Sequence, residues 1–257
     1  MTLIQVALLA GASAAAGVVN AVAGGGSLLS FPAAVAFGLP PLIANATNAV
    51  ALTPGSVASA FAYRRELSRD RDALRVLLPS AFAGGLAGSI LLLVTPAAIF
   101  DTIVPLLVLF ATALLLFQNL RPRRPADAQP GGRWILPRST GFAVVLQFFV
   151  GVYGGYFGAG MGIMMLAILD RLGGADIHGM NGVKSVLSAG INAVATIAFV
   201  VAHKVDYLAA LIMAVGAIAG GLAGASWARR LKPVYVRWGV VGIGLTLSAV
   251  LAWRRWG

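Results

Sequence analysis

Apolar residues run through this chain in long blocks separated by short polar or basic stretches. Positions 76–94 and 104–117 carry no charge at all, and about 20 apolar residues suffice for one helical crossing of a ~30 Å hydrocarbon layer. The pattern predicts five apolar segments in each half: 3–23, 27–38, 42–63, 74–95 and 99–118, then 139–157, 161–172, 180–202, 206–228 and 234–253. The second segment of each half spans 12 residues, a helix of only about 18 Å, too short to cross. Each short segment follows a glycine cluster. The first two segments of each half therefore read as a broken, re-entrant helix pair, followed by three transmembrane helices.

The two halves resemble each other. Gly84-Gly85-Leu86-Ala87-Gly88-Ser89 returns as Gly220-Gly221-Leu222-Ala223-Gly224-Ala225, an offset of 136. The same offset pairs Asn45 with Asn181, Val50 with Val186 and Asp70 with Asp206, and an offset of 134 aligns Gly24, Gly25 and Gly26 with Gly158, Ala159 and Gly160. Internal repeats of this kind define the architecture before any local reading does. The chain divides into a first membrane repeat (1–120), a basic, Pro-rich linker (121–138) and a second membrane repeat (139–257). The fold class expected is all-α integral membrane, with two inverted-topology repeats.

Composition agrees and narrows the classes. Of 257 residues 59% are hydrophobic and 11% charged, against roughly a quarter charged in a soluble domain. The net charge of +11 does not form a nucleic-acid-binding face. It is concentrated in the connections 64–75, 121–138 and 229–237, as positive-inside sorting predicts, and no nucleic-acid partner is expected. By that rule all three lie in the cytoplasm, while the nearly neutral connections 94–99 and 203–206 face out. The N-terminus then lies outside, and corresponding loops of the two halves lie on opposite sides. Arg254 and Arg255 fall outside, against the rule. Segment 3–23 lacks a basic residue ahead of its apolar run and is read as retained rather than cleaved. With no cysteine and two histidines, thiol chemistry and a Cys- or His-rich metal site are excluded. No Walker loop is present, and 158–162 lacks the βαβ context of a dinucleotide turn. No enzyme constellation and no cofactor are expected.

The candidate chemistry lies where helices are interrupted. A helix beginning in mid-membrane presents unpaired N–H groups and the positive end of its dipole, which attract an anion. The short helices begin near Ser27 and Met161, after Gly24, Gly25, Gly26 and Gly158, Ala159, Gly160. Glycine there permits positive φ and close approach of a ligand. The competing reading, tight helix packing, suits 84–88 and 220–224 better. The third segments add Asn45, Asn48, Ser56 and Ser59 in the first half, and Asn181, Lys184, Ser188 and Asn192 at i, i+3, i+7 and i+11 in the second. A polar stripe on a membrane helix faces protein or water, as a cavity lining or as interhelical hydrogen bonds. Lys184 either pairs with a bound anion, carries a proton, or snorkels to the nearby interface. Gln147 and Asn20 are read as bonding to neighbouring helices, and Tyr153, Tyr156 and Phe157 as packing or gating beside the second turn.

These residues resemble the TauE/SafE family of sulfite exporters, also called TSUP. The likeness covers nearly the whole chain. It is strongest in 17–30 with Phe31-Pro32, Gly38 and Ala44-Asn45-Ala46-Thr47-Asn48, and in 154–162 with Asn181-Gly182-Val183-Lys184-Ser185 and Asn192. The resemblance implies a multi-pass carrier of the bacterial inner membrane for sulfite, sulfoacetate or a related sulfur anion, driven by a proton or sodium gradient. Substrate binding is expected at Gly24, Gly25, Gly26, Ser27, Asn45, Asn48, Gly158, Ala159, Gly160, Met161, Asn181, Lys184, Ser188 and Asn192, near the midplane. A passive anion channel, or a membrane subunit that scaffolds a partner, would share the composition. Saturable, gradient-dependent flux separates the first from transport, and the lack of long extramembrane loops argues against the second.

Overall fold

The computed structural model describes residues 3–22, 24–67, 71–120, 140–172, 177–227 and 233–256. The proposed linker 121–138 and much of the 229–237 connection lie outside the described residues. Among those described there are eleven helices and no strand. The first half holds α1 (Leu3–Val22), α2 (Ser27–Ala36), α3 (Pro41–Ala62), α4 (Arg64–Leu67), α5 (Arg71–Val94) and α6 (Ala97–Leu120). The second holds α7 (Thr140–Tyr156), α8 (Met161–Arg171), α9 (Ile177–Val201), α10 (Tyr207–Trp227) and α11 (Pro233–Trp256). The ten expected segments each become a helix with ends within a few residues, since the apolar runs themselves set the lengths. The single turn α4 is additional: it continues α3 after Tyr63, and with two arginines and a glutamate it carries no hydrophobic signal of its own.

Five of the described helices are long and apolar enough to cross a membrane: Leu3–Val22, Arg71–Val94, Ala97–Phe117, Ile177–Val201 and Tyr207–Ser226. The protein is an all-α, multi-pass membrane protein. Its outer faces carry the large exposed side chains, such as Phe82, Leu86 and Ile90 on α5 and Leu208, Leu211 and Val215 on α10. Many of its polar side chains are buried inside. In α3, a 22-residue helix, Asn45, Thr47, Asn48, Ser56 and Ser59 are all buried.

Glycine seams set how closely the helices pack, because lipid offers no hydrophobic drive for helix association and close backbone approach takes its place. On α10, a side chain at Gly216 would strike the Ala10 carbonyl of α1, one at Gly220 that of Ala14, and one at Gly224 the Cα of Val18. On α5, Gly84 and Gly88 meet the carbonyls of Phe148 and Val152 of α7. The seams 84–88 and 220–224 are thus packing surfaces, not ligand sites.

These contacts also give directions. Numbers rise together along α1 with α10, along α5 with α7, and along α3 with α10, where Gly55 meets Ala217 and Gly221 approaches Ser59. They rise together in α5 with α9 as well, since Gly190 meets Leu78 and Phe82 while Gly85 meets Ile191 and Val194. Across the centre they oppose: Thr53 Oγ1 lies 3.0 Å from Thr196 Oγ1, and Ser59 Oγ 3.0 Å from Ser185 Oγ. Helices α1, α3 and α10 therefore run one way, and α5, α7 and α9 the other.

Candidate functional site

The site begins with two turns made the same way. Helix α1 ends with Gly24 N–H donating to Val19 O at 2.9 Å, and α7 with Gly158 N–H donating to Tyr153 O at 3.1 Å. Donor and acceptor are displaced by the same 134 residues. Both turns then pass through the left-handed region, at Gly24 (φ 78°) and Gly25 (φ 89°) in the first and at Gly158 (φ 77°) and Gly160 (φ 79°) in the second. A side chain there costs roughly 1–2 kcal/mol per residue. Gly26 differs, with φ −59°. It is glycine because a Cβ would fall on the Ala16 carbonyl of α1. The turns touch: a Cβ on Gly24 would lie 2.9 Å from the Cα of Gly162.

Each short helix opens with tight turns that use some of its N–H groups. Leu28 and Leu29 donate to Gly25 O and Gly26 O at 3.0 and 2.8 Å, and Met161 and Ile163 to Gly158 O and Gly160 O at 3.3 and 3.0 Å. The N–H groups of Ser27 and Gly162 have no hydrogen-bond acceptor among the described residues. They are the backbone donors the two helix starts leave available.

Helix α9 brings the charge. Lys184 is 2% exposed, which removes the snorkelling reading. Its stem lies over Gly162, and Nζ donates to Asn181 Oδ1 at 2.7 Å and to Ala21 O at 3.4 Å. Ala21 stands in the last turn of α1, where carbonyls lack helical partners and a cation is favoured. The same carbonyl accepts Tyr63 Oη–H at 3.3 Å. Tyr63 is fully buried and stacks on His178 with ring centroids 6.3 Å apart. On the other flank Phe157 packs edge-on against Phe31 at 5.4 Å, and Tyr153 donates to the Ala159 carbonyl at 2.7 Å.

Between these groups lies a small cavity, about 20 Å³ as measured by the positions a water's centre can occupy, room for a compact ligand. Much of its lining comes from positions related by the repeat: Gly24 with Gly158, Ser27 with Met161, Leu52 with Ser188, and Ser56 with Asn192. Among the described residues Lys184 is the one charged side chain in the lining, and none of them brings a carboxylate.

The sequence profile of the sulfite exporter TauE/SafE family matches residues 9–251. The chain belongs to the TauE/SafE family. It is similar to the probable membrane transporter protein YfcA of Escherichia coli K12, 27% identical over 244 residues that cover 94% of this chain and 87% of the relative. It is similar to the probable membrane transporter protein ORF9 of a Sinorhizobium species at 28% identity, with 90% and 87% covered. A probable membrane transporter protein of Haemophilus influenzae is 24% identical, with 91% and 89% covered. No solved structure matches. This TauE/SafE protein is a membrane transporter and not an enzyme, and its partners include a small substrate and the lipid around it.

The cavity of this TauE/SafE chain takes in Gly24, Gly25, Ser27, Gly158, Met161, Lys184, Ser188 and Asn192 of the residues expected at the site. The others stand beside it. Asn45 donates to Tyr156 O at 2.9 Å, tying α3 to the end of α7. Asn48 accepts the Ser30 hydroxyl at 2.6 Å. Asn181 holds Lys184 rather than facing the cavity. Gly26, Ala159 and Gly160 shape the turns, with Gly160 against Ala111 of α6. Four lining residues belonged to no expected site: Asn20, Gly162, Ser185 and Leu52. Ser56 and Ser59, read as part of the α3 stripe, also line it. Gln147 is fully buried, and neither of its amide atoms has a hydrogen-bond partner, contrary to its reading as a tie between helices.

Proposed function

We propose that this protein is a secondary active transporter that binds a small sulfur-containing anion at the junction of the two glycine turns. The observation that carries the reading is the repeat-related cavity whose one charged lining group among the described residues is Lys184. An ammonium in a lining that holds no carboxylate among the described residues favours an anion, and backbone N–H groups of two helix starts add to the attraction. Sulfite fits the size of the space better than an organosulfonate such as sulfoacetate, which needs room for a carbon chain.

The halves 1–120 and 139–257 act as inverted repeats joined by a cytoplasmic linker, 121–138. Opposed directions of α1 and α7, α3 and α9, and α5 and α10 support this, as does the turn hydrogen bond repeated at both glycine clusters. Such halves can rock against one another around a fixed midplane site, opening it alternately to either side. A proton or sodium gradient drives the cycle. The setting is the bacterial inner membrane, with the N-terminus outside, following the basic connections.

Proteoliposomes loaded with sulfite, sulfoacetate or chloride test this directly. Saturable, gradient-dependent sulfite flux that disappears in Lys184→Ala is the expected result. Flux linear in concentration and indifferent to any gradient would make the protein a channel, and unchanged flux in Lys184→Ala would remove that residue from the mechanism.

A further inference from the structure

We infer that Asn20 is an anion-contacting residue whose amide is held by the first glycine turn with its nitrogen directed at the ligand. The inference rests on the anion-transport reading above and names a contact that reading lacks.

Asn20 lies in the last turns of α1 and lines the cavity beside Gly24, Gly25 and Ser27. The N–H of Gly26 donates to its Oδ1 at 2.7 Å. A backbone N–H can only donate, so the atom it meets must be the amide oxygen, and the assignment of oxygen and nitrogen is fixed by this bond. The oxygen is spent on the turn, and the –NH₂ must occupy the other branch. The side chain has little freedom to turn over: a Cβ on Gly26 would come within 2.9 Å of its Cγ, so turn and amide are packed directly against each other. One residue thus closes the turn with its acceptor and offers the cavity two N–H donors. These join Lys184 and the open N–H groups of Ser27 and Gly162.

At the position related by the repeat stands Gly154, packed against Met161 Sδ and Ile191, which has no side chain to offer. Asn20 and Ser27 come from the first turn, and Lys184 reaches over from α9 toward the end of α1.

The replacement Asn20→Asp separates the two halves of the amide. It is close to isosteric and keeps an oxygen for Gly26 N–H, but it exchanges the donor for a second, charged acceptor. Purified protein is titrated with sodium sulfite at constant ionic strength while the melting temperature is followed, with Lys184→Met alongside. The expected result is a sulfite-dependent rise in the unaltered protein, the same ligand-free melting temperature in Asn20→Asp, and a sulfite affinity at least about tenfold weaker in that variant. An Asn20→Asp protein that binds sulfite as tightly as the unaltered one overturns the assignment and leaves the anion site standing. If the unaltered protein shows neither a sulfite-dependent shift nor sulfite flux, the anion reading fails and this inference with it. Should Asn20→Asp not fold, Asn20→Ala decides. A sulfite shift of undiminished affinity there overturns the assignment, and a loss of tenfold or more supports it.

Discussion

Gly24 and Gly162 stand back to back, each with its Cα within 3.0 Å of where the other's Cβ would be. One ends the first turn's approach to the centre, and the other opens the first turn of α8. Their contact joins the two glycine turns at the centre of the interface between the halves.

Alanine scanning of these glycines is expected to separate strain from crowding. Gly24→Ala suffers both, with φ at 78° and the Gly162 backbone in the way. Gly25→Ala suffers strain alone, since its Cβ would meet only Ile163 Cδ1 at 3.6 Å. A left-handed alanine costs roughly 1–2 kcal/mol. Gly25→Ala should therefore lower the melting temperature by several degrees and keep part of its flux. Gly24→Ala should lose flux altogether and unfold well below it. Equal effects at the two positions would show that the turns do not touch.

Lys184→Met is expected to abolish transport with little change in stability. A lysine within a membrane helix costs roughly 2.5–3.5 kcal/mol, while hydrogen bonds from a charged donor return roughly 1.5–3 kcal/mol each. Lys184 makes such bonds to Asn181 and Ala21, so the terms nearly offset. The melting temperature of Lys184→Met should stay within about 4 °C of the original, a shift of about 1–2 kcal/mol in a protein of this size. A much larger fall with residual transport intact would make Lys184 a structural fastener between α9 and α1.

The two hydroxyl pairs across the α3–α9 seam should behave differently. Thr53 and Thr196 are bonded to each other away from the cavity lining, whereas Ser59 and Ser185 both line it. A double-mutant cycle with Thr53→Val and Thr196→Val is expected to give a coupling of about 0.6 kcal/mol, the average for interhelical bonds in a membrane. The substrate KM should not move. Ser59→Ala should raise KM several-fold at nearly unchanged stability. A KM effect from the threonine pair would extend the site beyond the cavity.

Which parts of this arrangement could be read in the chain follows from physical range. Helix positions were legible because burial in lipid demands unbroken apolar length, and the short helices because they fall below that length. The starts at Ser27 and Met161 were legible because glycine marks a positive φ. Asn20 was not, since a lone asparagine in an apolar run gives no sign of facing a cavity, and its related position, Gly154, carries no echo of it. Asn45 and Asn48 looked like binding groups on the α3 stripe. Their partners, Tyr156 O and Ser30, come from other elements that periodicity cannot place beside them. Lys184 was ambiguous for the same reason: only the packing of Gly162 and the end of α1 around it decides that it stays inside.

The opposed directions of the helices make a prediction about sidedness that requires no ligand. The ends of α5 and α9 lie on one side and the end of α3 on the other, because α5 and α9 run together while α3 runs against α9. The chain contains no cysteine, so single cysteines can be introduced against a silent background. Lys204 and Arg65 are exposed beyond the ends of α9 and α3, and Thr95 follows α5 directly. In intact cells a membrane-impermeant maleimide is expected to label Thr95→Cys and Lys204→Cys while Arg65→Cys reacts only after permeabilisation. The repeat relates 64–75 to 203–206 by sequence, so Arg65 and Lys204 lie at matching places in the two halves. Labelling of both from the same side would mean that the halves share one orientation. The two short helices would then start from the same direction, with no common centre at which Gly24 and Gly162 could meet.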